Sequence, residues 1–323
     1  MKINQKLRPF VILGIVFVVL LATYVGLKAY NTKVAEEETA SSEAETIYLT
    51  KQGKTKKISY TNGTKTMTFS LSDDAWTEAS ATSTELSSSS VSSIASYFGK
   101  LTATRKLTTN LEEISAYGLD NPAYKISVTN KKGKTQTILI GNALADGSYY
   151  AKLADEPAIY VIATGFESYL TFDLNSLVAS PTIPTMSSNN VNSIEQIKAD
   201  GTTKKIDNDA TSSSEEASEK ATSTSTESTP YDTATTALVS LVSYGAVNYK
   251  PTVSDLSTYG LDKESRTTYT VNYLDENEIE KSFTFYVGKA STTEGYQYVQ
   301  FTESVVIYQL SESTVTSLES AFN

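Results

Sequence analysis

The chain has 323 residues and a formal charge of −10 at neutral pH, and it contains neither cysteine nor histidine. That length suffices for two domains, each burying its own core. The composition excludes disulfides, thiol nucleophiles, Cys or His zinc sites and every catalytic triad built on imidazole. The first 33 residues hold Lys2, Lys6, Arg8, Lys28 and Lys33 and no acid, so the rest of the chain is more acidic still. Such a surface repels phosphate backbones, and nucleic acid is not an expected partner.

Residues 1–8 form a basic leader, followed by PFVILGIVFVVLLATYVGL, Pro9 to Leu27, uncharged until Lys28. As a helix this run is roughly 28 Å long, close to the hydrocarbon thickness of a bilayer. A transmembrane helix is expected over 9–29, with the lipid bilayer as its partner. The competing reading is a cleaved signal peptide, but its apolar region is usually shorter. Leu20-Leu21-Ala22 and Leu27-Lys28-Ala29 are also poor cleavage sites. A lipoprotein anchor would need a cysteine. Basic residues before the span outnumber those just after it, which places residues 1–8 in the cytoplasm. The expected location is the cell membrane, single-pass, with the bulk of the chain extracytoplasmic. Residues 30–45, rich in Glu, Ala and Ser, read as a spacer.

A first unit is expected over 46–180. It opens on hairpin strands in TIYLTKQGKTKKISYTNGTKTMTFSL, turning at Asn62-Gly63, and continues through the tryptophan-bearing DDAW. The Ser-rich run 83–90 leads into a helix over Ser93–Leu101. A short helix then ends at Tyr117-Gly118-Leu119-Asp120, and strands follow in AYKISVTNKKGKTQTILIGN, SYYAKLA and AIYVIAT. Gly165 to Leu170 closes the unit as a helical segment.

A second unit is expected over 190–323. SIEQIKADGTTKKI turns at Asp200-Gly201, and a Ser/Thr/Glu-rich insertion at 207–230 has nothing large and apolar at 211–229 to pack, so it should be disordered. A helix over Thr233–Ser243 precedes VSDLSTYGLD, in which Tyr259-Gly260-Leu261-Asp262 repeats the first tetrapeptide. Strands follow in TYTVNYLDENEIEKSFTFYVG, YQYVQF and VVIYQL, then a helix over Ser311–Phe322. The flanks of the two tetrapeptides align, so the chain reads as a duplicated domain rather than a chance match. The fold class is α+β: two tandem, mostly antiparallel-sheet domains with short helices, after one N-terminal transmembrane helix.

The repeated turn has a physical account. Asn110 with Glu113, and Thr252 with Asp255, have the spacing of a capping box. Gly118 and Gly260 fall where a left-handed residue ends the helix. A Schellman ending there would pair Leu119 with Ile114, and Leu261 with Leu256. Asp120 and Asp262 then start the next turn. All eight residues are read as a structural turn.

The helix ending in YGLD followed by Pro122, the ILIGN strand into a Gly-containing turn, the YYAKL strand and the IYVI strand resemble the bacterial "domain of unknown function 4340" family. The resemblance covers about residues 46–180 and, more weakly, 190–323, where Glu264 replaces the proline and the tryptophan strand is missing. It implies a membrane-anchored or lipid-anchored protein of the bacterial envelope, in a family linked with export-type transporters and gliding machinery. It carries over no catalytic residue, cofactor or metal.

Chemistry would have to rest on carboxylates, hydroxyls, Lys or Tyr. Asp73 and Asp74 are adjacent acids beside a turn, and a structural role is favoured over glycosidase work. LDENEIE at 274–280 lacks the glycine and spacing of a calcium loop and reads as a hairpin tip. The chain holds 21 tyrosines. Tyr150 and Tyr298 lie on equivalent faces of equivalent strands and are candidates for contact with a glycan or protein partner, with burial in the core as the favoured alternative. The expected function is a membrane-anchored extracytoplasmic binding or scaffold protein, accessory to a transport or export complex and contacting other envelope proteins, without catalysis. The alternative is a carboxylate-dependent hydrolase, or a binding protein, acting on cell-wall glycan.

Overall fold

The computed structural model describes residues 28, 46–108, 112–208 and 228–323. The expected membrane helix apart from Lys28, the spacer, and nearly all of the Ser/Thr/Glu tract therefore lie outside the described residues. Among the described residues no helix is long and apolar enough to cross a membrane.

The first half begins with β1 (Ile47–Tyr48), β2 (Thr55–Thr61), β3 (Thr66–Ser72) and β4 (Ala75–Glu78), then helix α1 (Ser88–Gly99). β5 (Thr102–Ala103), β6 (Arg105–Leu107), β7 (Tyr124–Asn130), β8 (Thr135–Ala143), β9 (Tyr149–Leu153) and β10 (Ile159–Ile162) follow. Eight of these strands form one sheet in the order β4-β3-β2-β7-β8-β9-β10-β6, and β1 pairs separately with β5. The second half holds β11 (Val191–Ile197), β12 (Thr203–Asp207), α2 (Pro230–Val239), β13 (Ala246–Asn248), β14 (Thr267–Leu274), β15 (Glu280–Ala290), β16 (Tyr296–Phe301), β17 (Ile307–Ser311) and α3 (Glu312–Ser320). Its sheet runs β12-β11-β14-β15-β16-β17-β13. Apart from β4 the two orders correspond strand for strand: a hairpin, a four-strand meander, and the short strand after the helix. Neighbouring strands within each sheet are antiparallel.

Alternation explains the faces. In β8, Ile138 and Ile140 enter the main core while Leu139 points to the opposite side. In β15, Phe283, Phe285 and Val287 enter the main core and Tyr286 points away. Each sheet thus has one large core, closed by helices, and a small satellite cluster on its back.

The starts of α1 and α2 fall earlier than expected, because hydroxyls cap them. Ser87 accepts a hydrogen bond from the Ser90 amide, so the serine run forms the first turn of α1, which buries Val91, Ile94, Ala95 and Phe98. Thr229 and Asp232 form a reciprocal capping box with Pro230 in the first turn, and α2 ends at Val239 rather than Ser243. The segment 166–169 is one 3-10 turn. The hairpin turning at Asn62-Gly63 has a four-residue loop. The Asn62 carboxamide accepts from the amides of Thr64 and Lys65 and so widens it. Asp73 and Asp74 make the tight β3–β4 turn, both with positive φ. Trp76 on β4 donates to Ser92 of α1, and the second sheet has no counterpart of β4 among the described residues.

Candidate functional site

The two YGLD turns have the same construction. Ile114–Tyr117 is a 3-10 turn and Leu256–Tyr259 a single helical turn; each ends on a left-handed glycine, Gly118 at φ 67° and Gly260 at φ 66°. Leu119 donates to the Ile114 carbonyl at 3.2 Å and Leu261 to Leu256 at 2.9 Å, the long bond of a Schellman ending. The capping box of Thr252 and Asp255 is formed. Glu113 makes no side-chain cap, and Asn110 lies outside the described residues. Leu119 and Leu261 are buried, whereas Ile114, expected to pack on Leu119, is exposed.

Each turn is pressed against a bulge in the meander. Register shifts fall between Ile140 and Ala143 and between Val287 and Ala290. Within those bulges, a Cβ on Gly141 would lie 2.1 Å from the Tyr117 carbonyl oxygen, and one on Gly288 would lie 2.2 Å from that of Tyr259. The opposing glycines are equally confined, since a Cβ on Gly118 would strike the Asn142 side chain and one on Gly260 the Lys289 backbone nitrogen. Glycine meets glycine at both contacts, which lets a backbone turn lie directly on a strand.

The tyrosines fill the space beneath. Tyr117 packs edge-on against Tyr150 with ring centres 4.9 Å apart, and Tyr259 meets Tyr298 at the same 4.9 Å. Ile159 and Ile307 complete the two clusters. Tyr298 is only 4% exposed, and its hydroxyl lies against Thr292. Burial pushes that hydroxyl up, but the hydrogen bonds from Thr292 bring it below its ordinary value. Tyr150 is half-buried under Tyr117. Both tyrosines pack beneath the turn, Tyr298 buried and Tyr150 partly open to solvent. Asp120 is exposed. One carboxylate oxygen of Asp262 accepts from Ser265, and the other is enclosed without a hydrogen-bond partner.

A concave feature lies elsewhere, between the two sheets. An open cleft of about 360 Å³ is lined on one side by Ser83–Glu85 and Val178–Thr182. On the other side stand Tyr249, Lys250, Phe283, Phe301, Tyr308 and the loop Glu303–Val306. The first wall is tied together by the amide bonds Ser87 to Leu177 and Ala179 to Glu85. The two walls meet where Tyr308 donates to the Ala179 carbonyl at 3.2 Å and the Tyr249 amide donates to Asn175 at 2.9 Å. Burial pushes the Tyr308 hydroxyl above its ordinary range; Ser304 offsets this in part and the charge of Glu85 adds to it. Val305 projects at the rim, 69% exposed. Aromatic floor, backbone amides and carbonyls, hydroxyls and a rim of Glu85, Lys250 and Glu303 together suit an extended polar chain with occasional apolar side chains.

None of the cleft residues is singled out as a candidate site by the sequence. The signals present there are the apolar pair Val305-Val306 in a polar loop and the prolines at 181 and 184, which punctuate the segment between the sheets. Among the described residues, no group of three or more acids comes together to hold a metal ion.

No match was found among curated proteins or among solved structures. The family described as "Domain of unknown function (DUF4340)" matches residues 76–264. This stretch begins at Trp76 on β4 and ends at Glu264 just past the second turn, straddling both sheets rather than following the 46–180 and 190–323 division. It covers more than half of the 323 residues, carries both glycine turns, the first wall of the cleft and part of the second, and on that extent the chain belongs to the DUF4340 family.

Proposed function

We propose that this chain is a single-pass membrane-anchored protein of the bacterial cell envelope. It displays two tandem copies of one α+β unit outside the cytoplasm and acts by binding, as a scaffold or accessory subunit of a transport or export complex, without catalysis. The observation that carries the binding reading is the cleft between the sheets, with its aromatic floor and charged rim. The duplication is supported by the matching strand orders and the paired glycine contacts. The anchor is supported by the apolar run Pro9–Leu27 behind three basic residues.

A photocrosslinking residue placed at Val305 in the intact chain, in cells, tests this reading. The expected product is a crosslink to a membrane protein of a transport or export complex, reduced at least about tenfold by Lys250→Glu, since reversing a rim charge weakens a complementary encounter. Glu85 and Glu303 line the same cleft, and this keeps the hydrolase alternative in view. Crosslinks to wall glycan alone, with wall-degrading activity abolished by Glu85→Gln or Glu303→Gln in a folded protein, would replace the scaffold reading with that one.

A further inference from the structure

The described part of this acidic chain begins beside a concentrated basic surface. Lys51 and Lys100 both lie over the ring of Tyr48, at 5.1 and 5.4 Å from its centre. The loop that follows is held between two other segments: the Gln52 amide donates to Gly99, and the Lys131 amide donates to the Lys54 carbonyl at 3.0 Å. The Asn130 side-chain amide donates to Gln52, and its side-chain oxygen Oδ1 accepts from the Lys132 and Lys134 amides. Three stretches distant in sequence thereby bring Lys51, Lys54, Lys100, Lys131, Lys132 and Lys134 around one loop, all six exposed.

Residues 46–57, 96–103 and 128–137, which build this surface, contain no Asp or Glu. None of the six lysines makes an ion pair among the described residues; the ion pair seen there joins Lys205 to Asp207 in the other sheet. Asp155 and Glu156 follow β9 at its margin, where the Ala154 amide donates to Thr137, yet neither pairs with a lysine among the described residues. Ammonium groups gathered without direct ion pairs repel one another, and an anionic surface relieves that repulsion. The patch also follows directly on the N-terminal segment. Residues 28–45 can extend no more than about 60 Å, so the first sheet stays within reach of a bilayer that holds Pro9–Leu27. We infer that the six-lysine face docks on the anionic headgroups of the membrane that anchors the chain, with Tyr48 at the headgroup level, orienting the first sheet toward the lipid and leaving the cleft free. This rests on the anchor reading given above. The contact is electrostatic, so salt weakens it.

The chain has no cysteine, so Thr135→Cys beside the patch and Ser317→Cys on α3 each provide a single labelling site. The labelled full-length chain is mixed with vesicles of phosphatidylcholine, or of phosphatidylcholine with 30% phosphatidylglycerol, each carrying a headgroup quencher; flotation and quenching are then read. The expected result is flotation with both vesicles, and quenching of the Thr135→Cys label roughly threefold greater with the anionic lipid. That difference should disappear in 0.5 M salt and in a variant with all six lysines changed to Gln, and should be absent at Ser317→Cys. Unchanged Trp76 fluorescence checks that the variant is folded, and the double change Lys131→Gln with Lys132→Gln is a milder second test. Flotation with both vesicles but charge-independent quenching overturns the patch and keeps the anchor. Flotation only with anionic vesicles, lost in the lysine variant, keeps the patch and removes the anchor. Flotation with neither overturns both. Charge-independent quenching together with lysine-dependent binding of soluble polyphosphate overturns the lipid assignment in favour of a phosphate polymer.

Discussion

Gly141 and Gly133 are both glycines of the first meander, but they are glycine for different reasons. Gly133 has φ +85°, and a Cβ there would meet nothing within 4 Å, so its constraint is conformational. Gly141 is not left-handed, and its constraint is the Tyr117 carbonyl oxygen 2.1 Å from where a Cβ would sit. A backbone oxygen held by a Schellman turn has little room to retreat. Gly133→Ala should therefore cost about 1–2 kcal/mol, the penalty of one left-handed residue. Gly141→Ala should cost at least about 3 kcal/mol, as an overpacked site that cannot relax. Urea unfolding of the two variants checks the order, and near-equal losses would mean that the turn lifts off its strand easily. That Gly118 and Gly260 end a helical turn is legible from position alone, because helix stops are local. That Gly141 and Gly288 receive those turns is not, since it depends on a contact between segments more than twenty residues apart.

Among elements, turns and strands are the legible part and helix limits are not. Period-two alternation marks the meanders of both halves, and the absence of a partner for β4 follows from the missing tryptophan segment. The Ser-rich run 83–90 reads as a loop with a helix start, and that start comes at Ser88 rather than Ser93 because Ser87 caps it. The same polar chemistry gives the hairpins and the second helical turn a common acid sensitivity. Asp146 is held below the usual carboxylate range by hydrogen bonds from the Ser148 hydroxyl and amide, Asp200 by those of Thr202, Asp255 by those of Thr252 and Asp275 by the amides of Ile279 and Asn277. A carboxyl whose folded value is depressed adds stability that is complete above its unfolded value, near pH 4, and is lost as pH falls through the folded value. The melting temperature should therefore be nearly flat from pH 7 to about pH 5 and fall below about pH 4. Asp275→Asn should lower it at pH 7 while making the acid-side fall shallower. A parallel shift with no change in the shape of the acid limb would remove Asp275 from this account.

At the scale of the whole molecule, two cores are joined by a narrow set of contacts, and the cleft between them is the least legible feature. Its walls come from five separate segments, each ordinary in pattern, so only the packing of one sheet against the next reveals it. The segment connecting the halves belongs mainly to the second: Met186 is buried in the second core, with Val178 and Ile183 packed on its margin. In the reverse direction, Tyr249 reaches the first core. Each half otherwise closes its own apolar interior, which predicts two unfolding units rather than one. The chain supplies its own reporter, because its one tryptophan, Trp76, is buried in the first core. Met186→Ala deletes a buried side chain from the second core and should cost about 2–5 kcal/mol there. Circular dichroism, which samples both sheets, should then show an early transition, while Trp76 fluorescence melts where it does in the unchanged protein. If the tryptophan transition moves down together with the circular dichroism, the hydrogen bonds of Tyr308 to Ala179 and Tyr249 to Asn175 couple the halves into one cooperative body. The cleft would then be a fixed groove rather than a joint between two independently folded units.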